Sequence, residues 1–167
     1  MINMKKTIAI CLLVLAMISA SEAKWKAPKT SQELLIMFPV SWVASVSGIK
    51  VSKAVPSKKE EVVISCDYFV AGQKEMAVGI VYEKYVSYNS NRRNWERHLR
   101  VIKNDPKIKA DHYLVYYPKP KPIGLLESIC ITNDGDNYFK IYSFHPKLAT
   151  EEKLVKLAVK IAEAIKK

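Results

Sequence analysis

The chain has 167 residues, 49% of them hydrophobic and 26% charged, with 27 Lys and Arg against 16 Asp and Glu for a net charge of +11. The length suits one domain with its own core, and the absence of repeats or biased tracts excludes a repeat array or a low-complexity chain. A positive excess of this size attracts anions in general.

The first element is an export signal. Lys5 and Lys6 precede the apolar run Thr7 to Ile18, and small Ser21 and Ala23 stand at −3 and −1 of a cut before Lys24. A membrane-spanning helix needs roughly 20 apolar residues, so this run is too short for an anchor. Cys11 lies within the apolar run rather than after the cut, which gives no support to a lipid-anchored signal. Removing residues 1–23 from 167 leaves 144. The removed part holds two of the 27 basic and one of the 16 acidic residues, leaving 25 against 15, a net +10. The expected organisation is a cleaved signal peptide over 1–23, an N-terminal extension over 24–33 and one domain over 34–167. The expected location is outside the cytoplasm, periplasm or medium, where nucleic acid is a poor partner for the charge. An acidic protein, an anionic envelope component or a membrane surface fits it better.

Cleavage also leaves one pair of cysteines, Cys66 and Cys130, for which an oxidising compartment predicts a disulfide. Such a bond closes a loop of about 65 residues and stabilises by roughly 4 kcal/mol on the chain-entropy model. Parity leaves a tension, because Cys66 alternates with the apolar set of its strand while Cys130 alternates with Ser128 and Thr132; with both faces of the sheet buried, the bridge is still possible. Neither Cys has a Cys or His at metal-ligand spacing, so no metal and no cofactor is expected.

After Ser31 a short capped helical turn is compatible with Gln32 to Met37, Phe38-Pro39 stops it, and Ser41 to Val46 reads as a strand. Between Glu61 and Val70 apolar residues alternate, Ala71 to Lys74 makes a turn, and Glu75 to Tyr85 returns as the second arm of a hairpin. On that arm Ala77, Gly79 and Val81 make one face small enough for a helix to pack closely. A helix follows near Asn91 to Lys103, capped by Asn89 or Ser90 and ended by Asn104-Asp105-Pro106. Trp95, Leu99 and Ile102 form its apolar stripe. Arg93, Arg97 and Arg100 line the other side, with Arg92 and Lys103 beside them, a row suited to phosphate or carboxylate. Strands near Asp111 to Tyr117, Leu125 to Thr132 and Tyr138 to His145 come next, the last two joined by the turn Asn133-Asp-Gly-Asp136. Thr150 then caps a helix whose face is Leu154, Leu157, Ala158, Ile161 and Ile165.

Several strands carry bulk on both faces, which predicts an α+β fold: an antiparallel sheet of about five to six strands with helices packed on both faces. With Phe38-Pro39-Val40-Ser41-Trp42 near the mature start, this order of hairpin, helix, strands and terminal helix resembles the PsbP/DcrB-like family of exported proteins over about Leu34 to Lys167. The resemblance implies an α/β/α sandwich and an accessory or binding role, and it carries no catalytic residue. Ser41 departs from the Gly that often precedes the Trp in that family.

Catalytic chemistry finds little footing. His98, His112 and His145 have no metal or triad spacing. Nucleophile elbows, H-E-x-x-H and phosphate-cradling loops are absent, and the chain has five glycines in all. Asp67 and Glu127 are the one pair from which an acid/base site can be imagined. Tyr116-Tyr-Pro-Lys-Pro-Lys-Pro122 reads as a stiff extended connector. The expectation is a non-enzymatic binding or accessory protein that engages an acidic protein or anionic envelope component through Arg93, Arg97 and Arg100. The alternative is a small-ligand carrier with a pocket among Trp95, Tyr82 and Phe139.

Overall fold

A computed structural model describes residues 25–59, 63–118 and 125–166. The segment expected to be a signal peptide and the part of the Pro-Lys connector from residue 119 onward lie outside these. The elements are α1 (Ser31–Met37), α2 (Val40–Ser47), β1 (Val51–Pro56), β2 (Ile64–Val70), β3 (Met76–Glu83), α3 (Tyr88–Arg97), β4 (Val101–Lys103), β5 (Asp111–Tyr116), β6 (Leu126–Thr132), β7 (Tyr138–Tyr142) and α4 (Glu151–Ala164). The seven strands make one antiparallel sheet in the order β1-β2-β3-β7-β6-β5-β4. The protein is therefore α+β, with more strands than the five to six expected.

Two departures have local causes. Ser41 to Val46 is helical, not extended: Pro39 caps α2 with φ −66° and Gly48 ends it with φ 69°, the left-handed conformation that suits glycine. Only Val43 and Ser47, four residues apart, are buried on it, which is a helical spacing. The arginine helix also starts and stops early. Ser87, rather than Asn89 or Ser90, caps it through the Ser90 N–H, and it ends at Arg97. Leu99 then turns left-handed at φ 56° while the Leu99 and Arg100 N–H groups donate to the Glu96 and Trp95 carbonyls. That is a Schellman closure made without glycine. It frees Val101–Lys103 to pair with β5.

One sheet face carries the main core. Cys66, Ile80, Ile141 and Ile129 lie side by side across β2, β3, β7 and β6, and Leu34, Phe38, Val43, Leu157 and Ile161 from α1, α2 and α4 close over them. Each such buried side chain contributes about 1.5–3 kcal/mol. The expected face of α4 is buried throughout. In the Phe38-Pro39-x-x-Trp42 stretch, Phe38 is buried against Phe139 at 5.6 Å and Trp42 packs on it at 5.1 Å. Trp25 meets Tyr82 and Phe139 at 6.4 and 6.2 Å, so the N-terminal extension is tied to this core. On the opposite face α3 covers a smaller cluster of Tyr88, Tyr113, Val115, Cys130 and Tyr138.

The sheet order forbids the expected disulfide. Two strands separate β2 from β6, placing Cys66 and Cys130 on the order of 14 Å apart at the usual strand spacing, whereas a bridge needs Cα atoms within about 7 Å. Cys130 also adjoins Ile129 and so faces the other side of the sheet from Cys66. Both are buried free thiols, and burial pushes each up to about 12.

Candidate functional site

Gly79 organises the second face of the sheet. Asp67, Gly79, Tyr142 and Ser128 stand in one row across β2, β3, β7 and β6. A Cβ on Gly79 would collide with the Tyr142 ring. The ring packs over Gly79 of β3, and its hydroxyl hydrogen-bonds the Asp67 carboxylate. Thus the small surface of Ala77, Gly79 and Val81 receives an aromatic ring rather than the expected helix. Burial raises the Asp67 carboxyl above its ordinary value, and the bond from Tyr142 only partly offsets this.

Because Tyr142 leans toward β2, it leaves room beside Ser128. A pocket of about 260 Å³ lies there, lined by Trp95, Glu127, Ser128, Lys140, Tyr142 and Phe144. Ser128 is only 2% exposed, yet neither its Oγ nor the buried Trp95 Nε1 has a hydrogen-bond partner. The Cys130 thiol approaches Ser128, but sulfur is a weak partner. A buried polar atom left without a bond costs about 1–3 kcal/mol. Two of the three such atoms among the described residues belong to residues that line this pocket; the third is Trp25 Nε1 on the far side of the sheet. Phe144, 62% exposed, meets Tyr142 edge to face at 5.4 Å, and the Lys140 ammonium sits 5.6 Å from the Tyr142 ring centre.

The arginine row is not a single surface. Arg100 lies beyond the helix, pairs with Glu127 at 2.7 Å and rests over Trp95 and Tyr117 at 5.8 and 4.9 Å. Leu99, expected in the apolar stripe, is 78% exposed. Arg92 is engaged by Glu96 at 3.3 Å. Arg93, bonded to Ser90 Oγ, and Arg97 are exposed and have no carboxylate partner among the described residues.

The other expected groupings also come apart. Trp95 is across the sheet from Tyr82 and Phe139, so the three cannot line one pocket. Asp67 and Glu127 have separate partners, Tyr142 and Arg100, with two strands between them, and form no carboxylate pair. His112 accepts from the Asp105 N–H at 2.9 Å and faces the Ala110 carbonyl, a structural role. No group of three His, Cys, Asp or Glu among the described residues is arranged to hold a metal. Another depression, about 670 Å³ along α4, has an apolar floor of Val46, Val155 and Val159. Its rim charges pair locally, as in Glu152 with Lys156 at 2.8 Å, and among the described residues none that lines it carries an unpartnered buried atom.

Sequence reasoning passed over Ser128, Lys140, Tyr142 and Phe144. Their parity was visible, since Lys140, Tyr142 and Phe144 alternate along one strand and its continuation. Their adjacency to Ser128 and Trp95 depends on β7 pairing with β6 under α3, which no local signal states.

Compared with family models, curated proteins and solved structures, the chain has no match at the significance required in any of the three.

Proposed function

We propose that the mature domain is an exported, non-enzymatic binding protein that holds a small ligand in the pocket between α3 and strands β6 and β7. The observation that carries this reading is that two residues lining one cleft, Trp95 and Ser128, each carry a buried polar atom without a partner, Nε1 and Oγ. A ligand supplies the hydrogen bonds that the protein withholds. The α/β/α layering that accompanies helices on both faces, and the Phe38-Pro39-x-x-Trp42 packing, support the PsbP/DcrB-like resemblance and the binding role it implies. The signal-like N-terminus supports export. Native mass spectrometry of the protein isolated from its own compartment tests the reading: a co-purified small molecule is expected, and it should be lost in Trp95→Phe. A protein of bare chain mass in both cases would sink it.

A second reading survives in reduced form. Arg93 and Arg97, one helical turn apart and free of carboxylates, suit an acidic protein or anionic envelope component. The double reversal Arg93→Glu, Arg97→Glu tests it by pull-down of envelope partners. Arg100 is left intact, because changing it attacks the fold.

A further inference from the structure

We infer that the ligand of this pocket is a monoanion: a carboxylate carried on a small apolar or aromatic body. The inference rests on the pocket reading above and adds the chemical class. The lining residues whose polar atoms have no hydrogen-bond or ion-pair partner among the described residues carry donors. Trp95 Nε1–H can only donate, the Lys140 ammonium can only donate, and the Ser128 hydroxyl can turn its hydrogen to an acceptor. The acceptor at the rim, Glu127, is held by Arg100 at 2.7 Å. A ligand end made of donors would leave Trp95 and Lys140 unsatisfied and bring positive charge to an ammonium. A carboxylate, with two oxygens and about four lone-pair sites, answers all three groups.

The charge also has an upper bound. Lys140 is the only cation lining the pocket and has no ion-pair partner among the described residues. Arg100 is engaged with Glu127. One cation without a carboxylate partner matches one negative charge, which disfavours a dianionic phosphate. For the ligand body, the rings of Tyr142 and Phe144 meet at 61° and form an apolar corner, a shape that takes another ring edge or a branched aliphatic group. A volume of about 260 Å³ lies just below the usual range for drug-sized ligands, which begins at roughly 300 Å³. A free acid and the terminal carboxylate of a peptide ending in an apolar residue share this chemistry.

The three tryptophans give three indole N–H resonances, and Trp95→Phe identifies one of them. The mature chain is titrated with 3-phenylpropionate, with its neutral amide, and with an acetylated dipeptide ending in Phe. The expected result is a saturable shift of the Trp95 indole resonance with at least one carboxylate probe and none with the amide. Lys140→Gln, at a half-exposed site whose one ring contact is with Tyr142, should weaken that binding about tenfold or more, and Ser128→Ala by a similar factor. Binding of the dipeptide alone assigns a chain terminus as the source; binding of phenylpropionate alone assigns a free acid. Gly79→Ala, which displaces Tyr142 toward Ser128, should abolish binding in a protein that still gives a folded spectrum. An amide that binds as tightly as the acid overturns the carboxylate class and leaves the pocket standing. If neither carboxylate shifts the indole and a ligand still co-purifies, the class is also wrong. Silence of all probes together with bare chain mass brings down the pocket reading itself.

Discussion

Asp67 shows how one glycine sets the electrostatics of a face. Gly79 lets Tyr142 lie across β3 and cap the Asp67 carboxylate, so burial raises that carboxyl above its ordinary 3.8. A group with a raised folded-state value keeps its proton longer in the folded chain than in the unfolded one. Its contribution is therefore full below 3.8 and is lost as pH rises through the folded value. Asp67→Asn keeps an acceptor for Tyr142 and removes the ionisation. The variant should be more stable than the parent at neutral pH and equal to it in acid, as read from urea midpoints across the pH series; an equal difference at every pH would disprove the assignment. Leu99 is strained at the same scale. At φ 56° and 78% exposed it loses about 1–2 kcal/mol to the left-handed conformation and has little packing to lose. Leu99→Gly should raise stability by about 0.5–1 kcal/mol after glycine's own entropic cost, a shift visible in the denaturation midpoint.

At the scale of elements, what was legible followed local punctuation. The β2–β3 hairpin, α4 and the Asn133 to Asp136 turn have strong alternation, a clean apolar face and a glycine at φ 81°, and each lies close to where its pattern puts it. The failures share a physical origin in signals that compete or are missing. Val40, Val43 and Val46 favour a strand by propensity, but Pro39 and Gly48 bound eight residues as a helix. β1 has no apolar alternation, because it is an edge strand with Ser52, Lys53 and Val55 exposed. Helix α3 ends without glycine or proline, so its arginine row seemed to run on through Arg100. The structure gives Arg100 a different task, neutralising Glu127, whose side chain is 15% exposed. Arg100→Ala orphans that carboxylate and should cost about 2–3 kcal/mol, toward the lower end for a broken buried pair. Adding Glu127→Gln should recover more than half of the loss. No recovery in the double variant would mean that Arg100 stabilises through its stacking on Trp95 and Tyr117 instead.

At the scale of the whole molecule, strand order decides what no strand can state alone. The sequence places each side chain on one of two faces, but only the order β2-β3-β7-β6 shows which residues on a face are neighbours. It brings Ser128 to Tyr142 and Trp95, and it sets Cys66 and Cys130 apart on opposite faces. With no bond between them, Cys66 and Cys130 are both kept from reaction by their burial. Cys66 donates to the Ser31 carbonyl at 3.3 Å in the helix-covered core, and Cys130 lies beside Tyr113 and Asn91 under α3. With each thiol pushed up to about 12 by burial, the reactive thiolate is scarce at neutral pH. The native protein should then leave a thiol reagent such as dithiobis-nitrobenzoate unreacted over hours, and two thiols per mature chain should react at once in guanidinium. Reduction should change neither the mass nor the thermal midpoint. A mass gain of two hydrogens on reduction, with a lower midpoint, would require β2 and β6 to be neighbours and would overturn the strand order on which the pocket depends.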